Sequence, residues 1–182
     1  MLCSALLRQS LRKPWRGERA LGSQGADTAR VAGVLLVDPA GRLLLQLRDR
    51  DAPTHPSRWS ILGGHIEPGE DPEEAARREI QEESGLRIAA PLVLFHHEVV
   101  PNDPPVPGMI ERFNYCAATA ATQDEVICGE GEAILFVTPG DVAGLDMMAS
   151  ARRIVEAFIA SEQYAALAVA SPERCVDATS DG

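Results

Sequence analysis

One helix in this sequence is defined at both ends by the residues that bound it. Asp71 followed by Pro72 is a strong helix start, because Asp caps the first N–H groups and proline fits the first helical position. Gly85 is the residue type that ends a helix in the left-handed conformation. The sequence therefore predicts a helix from Pro72 to about Ser84. A stripe of small and apolar residues on it suits packing against a sheet: Ala76, Ile80 and Ser84.

Three glutamates crowd the end of this helix. Residues three and four apart are neighbours on a helix surface, so Glu79, Glu82 and Glu83 share one face. Like charges at such spacings destabilise a helix by about 0.2–0.5 kcal/mol per pair, and the macrodipole adds to the cost near the C-terminus. A divalent cation such as Mg²⁺, with Mn²⁺ as the alternative, would compensate this charge. A solvated acidic face is the other interpretation of the same pattern.

The loop and the helix together resemble the Nudix hydrolase box. The family pattern is a glycine, five free positions and a glutamate, then seven free positions and Arg-Glu-apolar-any-Glu-Glu-any-Gly-apolar. The segment "GHIEPGEDPEEAARREIQEESGL" meets this pattern without a departure. The matching residues are Gly64, Glu70, Arg78, Glu79, Ile80, Glu82, Glu83, Gly85 and Leu86.

The resemblance implies a fold and an activity. The expected fold is α/β, a Nudix-type α/β/α sandwich with a mixed sheet flanked by helices. The expected activity is Mg²⁺-dependent hydrolysis of a nucleoside diphosphate linked to a group X. A (deoxy)nucleoside triphosphate and an ADP-ribose or nucleotide-sugar substrate both remain open. Two alternatives are a non-catalytic Nudix-fold module that senses a ligand, and an acidic helix that serves only as a protein-contact surface.

The resemblance also assigns roles within the box. The metal ligands would be the carbonyl of Gly64 and the carboxylates of Glu79, Glu82 and Glu83. Gly63 and Gly64 would let the backbone approach an ion or phosphate closely. A pair, Glu70 and Arg78, would hold the loop against the helix and orient the glutamates.

A further glutamate is expected from a loop ahead of a late strand, where family members often carry a general base or an extra metal ligand. We take Glu130 as this candidate catalytic residue, while Glu132 and Glu125 stay open as alternatives. Arg48 and Arg50 are candidates for phosphate or base contacts, with a solvated strand end as the alternative interpretation.

Outside the box, apolar and β-branched runs predict strands, and a periodic apolar pattern predicts a helix. We expect a Nudix domain over 30–165, preceded by a basic arm or linker at 1–29 and followed by a tail at 166–182. We expect this arm to be disordered or loosely helical, with an organellar transit peptide as the alternative. The predicted strands are 31–37, 43–48, 58–62, 91–100, 111–119 and 133–137, and the later helix is 149–161. The segments 63–71 and 101–108 are predicted loops.

Composition limits the partners. The 182 residues carry a formal net charge of −10, which argues against binding a nucleic-acid polymer. No apolar run approaches the length of a membrane span, so no membrane partner is expected. Four widely scattered cysteines favour a reducing, cytoplasmic location. The expected partner is a nucleotide-type diphosphate substrate, and a homodimer is left open.

Overall fold

Strand β1 (Ala29–Val37) is the centre of the sheet. The computed structural model describes residues 28–169. Along its whole length β1 pairs in parallel with β6 (Met109–Ala118), from Ala29 opposite Ile110 to Val37 opposite Ala118. Its other edge pairs antiparallel with β4 (Leu62–His65) and, at Val37, with β2 (Leu43–Leu47). The sheet is therefore mixed, as predicted.

The remaining strands extend the sheet in both directions. The order is β3-β2-β1-β6-β5, with β4 paired to β1 and β7 paired to β2. These strands are β3 (Trp59–Ser60), β5 (Val93–Pro101) and β7 (Ala133–Val137). The helices are α1 (Pro72–Ser84), α2 (Pro139–Val142), α3 (Ala149–Ile159) and α4 (Glu162–Val169).

Helices cover both faces of the sheet. Alternate residues of a strand point to opposite faces, so β1 contributes to two separate cores. One core joins Val34 and Leu36 to Ile80 of α1. The other joins Leu35 to Phe158 of α3. This arrangement confirms the predicted α/β/α architecture and the stripe of Ala76, Ile80 and Ser84, which are all buried.

Two predictions about local structure were wrong. The segment 58–62 was predicted as one strand, but the chain changes partners at Ile61, because β3 pairs with β2 whereas β4 pairs with β1. Gly63 and Gly64 were predicted in a loop and instead lie in β4, opposite Gly33 and Ala32. A glycine pair allows this close strand pairing, which residue type alone does not distinguish from a loop.

Some predictions are not addressed by the structure. The basic arm and the end of the C-terminal tail fall mostly outside the described residues, and the domain boundaries stay predictions. Among residues 28–169, no helix has both the length and the apolar character needed to cross a bilayer.

Candidate active site

Helix α1 has the predicted ends. Asp71 Oδ1 accepts a hydrogen bond from the Glu73 N–H at 2.8 Å, and Glu74 Oε2 accepts one from the Asp71 N–H at 3.3 Å. The second of these bonds belongs to a capping box, in which the Asp71 side chain also accepts from the Glu74 N–H. At the other end Gly85 has φ of 72° and donates to the Gln81 carbonyl. The helix is thus fixed in the register that places the glutamates in its last two turns.

Strand β4 lies against this acidic part of α1. The Gly63 N–H donates to Glu83 Oε2 at 3.0 Å, and Glu83 is only 5% exposed. The Glu79 carboxylate occupies the space beside Gly64, since a Cβ placed on Gly64 would lie 2.5 Å from Glu79 Cδ. The two glycines therefore allow β4 and the carboxylates to come into direct contact.

Arg78 connects the loop before α1 to the glutamates. Its Nε and Nη2 each donate to one oxygen of Glu70 at 2.9 Å. Its Nη1 donates to Glu79 Oε1 at 2.6 Å, and its Nη2 also donates to the His65 carbonyl at 3.0 Å. Glu82 Oε2 lies 3.7 Å from the same guanidinium. The structure thus brings Arg78 together with Glu70 and Glu79 and ties the loop to the helix.

Burial shifts the protonation of the two enclosed glutamates. Burial raises the pKa of Glu83 well above the ordinary carboxylate value, and repulsion from Glu130 and Glu79 raises this pKa further. The hydrogen bond from the Gly63 N–H acts in the opposite direction and lowers it. Burial also raises the pKa of Glu79, although the hydrogen bond and charge of Arg78 oppose this shift. By contrast, the hydrogen bond from Arg78 lowers the pKa of Glu70. Ionising these neighbouring carboxylates together is therefore unfavourable unless a further positive charge is added.

This charge balance fits a cation site. Glu83 is a buried carboxylate whose hydrogen-bond partner is an uncharged N–H, and its charged neighbours include two further glutamates. A hard divalent cation takes oxygen ligands of this kind. Within residues 28–169, however, no three acidic, His or Cys side chains stand close enough together to share one ion. Glu79 is instead paired with Arg78, and the Glu82 side chain is 63% exposed.

The loop that carries the candidate Glu130 docks on the end of α1, a contact that the sequence did not indicate. The Ile127 N–H donates to the Ser84 carbonyl at 2.9 Å, and the Gly129 N–H donates to the Glu83 carbonyl at 2.7 Å. A Cβ on Gly129 would lie 2.4 Å from the Glu82 carbonyl oxygen, so only glycine fits there. The sequence signal that could have found this contact is the glycine on each side of Glu130.

Among the three loop glutamates, Glu130 has the environment expected for a site residue. Its exposed side chain is close enough to raise the pKa of both Glu79 and Glu83. Its carbonyl accepts a hydrogen bond from Gln46 Nε2 at 3.2 Å, a positioning contact that the sequence did not indicate.

The other two loop glutamates, Glu132 and Glu125, are hydrogen-bonded to other groups. Glu132 Oε1 accepts hydrogen bonds from Arg50 Nε at 2.9 Å and from the Arg50 N–H at 3.2 Å. Glu125 Oε2 accepts from the Thr122 N–H at 2.7 Å and from its hydroxyl at 3.1 Å. Arg50 is thus already paired, whereas Arg48 donates from Nε to the Thr54 carbonyl.

Comparisons with known proteins show what this sequence is similar to. The sequence matches the family model of the NUDIX domain over residues 27–158. It is 48% identical over 54 residues to an RNA pyrophosphohydrolase of Caulobacter vibrioides, which covers 30% of each chain. It is 47% identical over 54 residues to the nucleoside triphosphatase NudI of Escherichia coli K12, covering 30% of this chain and 38% of that one. The aligned segment thus spans only about a third of these relatives' length.

The fold has a solved counterpart at low sequence identity. The crystal structure of a MutT protein from Methanosarcina mazei Go1 superimposes with a TM-score of 0.62. The superposition covers 74% of this chain and 95% of that chain at 18% identity. At this identity the likeness concerns the fold alone.

Substitution of Gly64 tests the close approach of β4 to Glu79. In Gly64→Ala the new methyl group would displace the Glu79 carboxylate, so we expect the affinity for Mg²⁺ or Mn²⁺ to fall about tenfold. The melting temperature should change little, because the displaced group is the end of a flexible side chain. Isothermal titration measures the affinity, and Gly140→Ala, where a Cβ meets only Thr138 Oγ1 at 3.9 Å, is the control. Equal affinity in the two variants would contradict the geometry.

The raised pKa of Glu83 predicts how the stability of the metal-free protein depends on pH. Folded Glu83 keeps its proton to higher pH than the unfolded side chain, whose ordinary pKa is 4.5. Its contribution to stability is therefore complete below that value and is lost as the pH rises through the raised pKa. Glu83→Gln cannot ionise, so in chelator its melting temperature should exceed that of the wild type at pH 8, and the difference should shrink toward acid pH.

Glu82→Gln is the matched control for this measurement, since Glu82 lies one position away with a 63% exposed side chain. Its melting profile from pH 8 to pH 5 should run parallel to that of the wild type. If the Glu83→Gln profile also runs parallel, burial of a charged carboxylate is not what destabilises the metal-free protein.

Proposed function

The chain belongs to the NUDIX domain family, and from this premise we propose that it is a pyrophosphohydrolase acting on a nucleoside diphosphate linked to a group X. The observation that carries the proposal is the buried Glu83 carboxylate, which lies beside Glu79 and within the electric field of Glu130. Uncompensated carboxylates at this position suit a cation shared with substrate phosphates. The names of the two curated relatives support phosphoanhydride cleavage, and the fully matched box argues against a module that only senses a ligand.

A divalent cation, Mg²⁺ with Mn²⁺ as the alternative, would be held by the Gly64 carbonyl, Glu79, Glu82 and Glu83. When bound, it supplies Lewis-acid charge against the diphosphate oxygens. The protein groups then have separate tasks. Glu83 is oriented by the Gly63 N–H, and Glu79 is oriented by Arg78, which Glu70 fixes through two hydrogen bonds.

The chemical step needs a water, a base and the phosphoanhydride. Glu130 would accept a proton from the attacking water, since its side chain is exposed and its loop is fixed to the end of α1. The water oxygen forms a bond to one phosphorus atom, and the bond from that phosphorus to the bridging oxygen breaks. The bridging oxygen leaves with the other phosphorus. ADP-ribose or a nucleotide sugar would then give two phosphomonoesters, and a nucleoside triphosphate cut between its α- and β-phosphates would give a nucleoside monophosphate and pyrophosphate.

The substrate class follows from the same chemistry. The box recognises the diphosphate, so a (deoxy)nucleoside triphosphate and an ADP-ribose or nucleotide sugar both satisfy it. We place the enzyme in the cytoplasm, where such nucleotides are present.

A substrate panel tests the proposal directly. Nucleoside triphosphates, ADP-ribose and nucleotide sugars are incubated with Mg²⁺ or Mn²⁺, and the products are identified by mass. We expect at least one substrate to be cut at its phosphoanhydride into two phosphorylated products, with loss of turnover in chelator. We also expect about a 10²-fold or larger fall in kcat in Glu83→Gln. Absence of cleavage across the panel with either metal, or full activity of Glu83→Gln, would overturn the proposal.

The three loop glutamates provide a matched series on the same substrate. Glu130→Gln should lower kcat by about 10²–10⁴-fold, the usual contribution of a general base. In Glu132→Gln and Glu125→Gln, kcat should stay within about threefold of the wild-type value. The carboxylates of these two residues bind Arg50 and Thr122 and are not available as the base. A larger loss in Glu132→Gln than in Glu130→Gln would reassign the base.

A further inference from the structure

Strand β5 lies at one end of the sheet. Within residues 28–169 it pairs with β6 alone. In an antiparallel pair, alternate residues direct their N–H and C=O groups toward the partner strand, so the residues between them direct theirs outward. A long edge strand with outward backbone groups is a template for pairing with another chain. With nine residues, Val93–Pro101, β5 is long enough to act as such a template.

The same strand concentrates exposed apolar surface. Six large apolar residues are exposed in the part of the chain that the structure describes, and three of them lie on β5. Val93 is 53% exposed, Leu94 is 47% exposed and Val99 is 54% exposed. A strand added to this edge would cover these side chains, which burial of apolar surface favours.

A bulge determines which side chains of β5 share a face. Leu94 is opposite Tyr115 and His96 is opposite Asn114, so Phe95 is the extra residue. Tyr115 packs in the core beside α1, so Leu94 lies on the α1 face of the sheet. The pairing with β6 then gives two rows. The row on the α1 face is Leu94, His97 and Val99, and the row on the opposite face is Val93, His96, Glu98 and Val100.

Two copies of β5 fit together in one antiparallel register. About a twofold axis, paired side chains must lie on the same face, which limits the number of registers. With the axis at His97, Leu94 of one copy lies opposite Val99 of the second copy, and Val93 lies opposite Val100. Each of the three exposed apolar residues thus meets an apolar residue of the second copy, a favourable cross-strand pair.

The polar residues favour the same register. With the axis at His97, Glu98 lies opposite His96 of the second copy, so a carboxylate acceptor faces a side chain with an N–H donor. Moving the axis to Glu98 would place two carboxylates opposite each other, which is destabilising. Moving it to His96 would place Glu98 opposite Val93. The arrangement centred on His97 therefore satisfies both rows at once.

We propose that the protein forms a symmetric dimer through β5, in which the sheets of two copies join into one continuous sheet. Every contact occurs twice in such a dimer, because the same surface serves both copies. Strands β6 and β1 separate β5 from the contact between Gly63 and Glu83 at β4. The dimer therefore leaves both candidate active sites uncovered, and this inference is independent of the proposed function.

Disulfide cross-linking of the full chain tests the register. His97 lies opposite His97 of the second copy, and directly paired residues have Cα atoms roughly 4.5–5.5 Å apart, a distance that a disulfide spans. Most of the His97→Cys protein should therefore form a covalent dimer after mild oxidation, as measured on a non-reducing gel. The wild type, which keeps the exposed Cys128, sets the baseline.

Val99→Cys is the matched control, because Val99 lies on the same face but roughly 13 Å along the strand from Val99 of the second copy. It should stay at the wild-type baseline. Adding Leu94→Cys to Val99→Cys should restore the cross-link, since these two positions face each other between copies. Equal cross-linking of His97→Cys and Val99→Cys, or a His97→Cys protein at the baseline, would overturn the inference.

A charge on the apolar row tests the association itself. In gel filtration with light scattering, the wild type at micromolar concentration should have twice the mass of one chain. Val99→Lys would place an unpaired ammonium group against Leu94 of the second copy, so the dimer Kd should rise about tenfold or more. Leu135→Lys is the control, because Leu135 is 41% exposed on β7, away from β5. It should keep the wild-type mass.

A wild type with the mass of one chain at 100 μM would overturn the inference. So would a dimer that Leu135→Lys dissociates and Val99→Lys does not. The melting temperature of Val99→Lys should match that of Leu135→Lys, because both side chains are exposed in the single chain. If Val99→Lys does not fold, the cross-linking series decides alone.

Discussion

The hydrogen bond from the Gly63 N–H to Glu83 is the interaction on which the rest of the site depends. It joins strand β4 to helix α1 at 3.0 Å and holds a carboxylate almost out of contact with water. The bond requires glycine, because Gly63 has φ of 148° and a Cβ there would lie 2.2 Å from the Ala32 carbonyl oxygen. Once that carboxylate is fixed, Glu79 and Glu130 add negative charge around it, and a cation becomes the group that balances the site.

The two faces of the sheet pack against different helices. On one face β1 packs against α1, so the helix that carries the carboxylates rests on the core through Ile80. On the other face β1 packs against α3, and Leu35 joins the core that contains Phe158. The alternation of side chains along one strand thus supports the carboxylate-bearing helix on one face and builds a second apolar core on the other.

Local signals predicted the parts of the structure that depend on neighbouring residues. The cap at Asp71, the left-handed Gly85 and the acidic face of α1 all follow from residues within a few positions of each other, and the helix has the expected bounds. The split of 58–62 into two strands and the docking of Gly129 on α1 depend on contacts between distant segments, which no local pattern encodes. Helix α4 has weak apolar periodicity and is held by a bond from Tyr164 to the Gly41 carbonyl.

The acidic end of α1 is proposed to hold a divalent cation against a diphosphate. The most direct test is a crystal structure with Mn²⁺ and a non-hydrolysable nucleotide, in which anomalous scattering locates the metal. We predict a metal peak in contact with Glu83 and the nucleotide phosphates, with Glu79 released from Arg78. A structure with the nucleotide bound elsewhere, no metal peak, and Glu79 still on Arg78 would contradict the account.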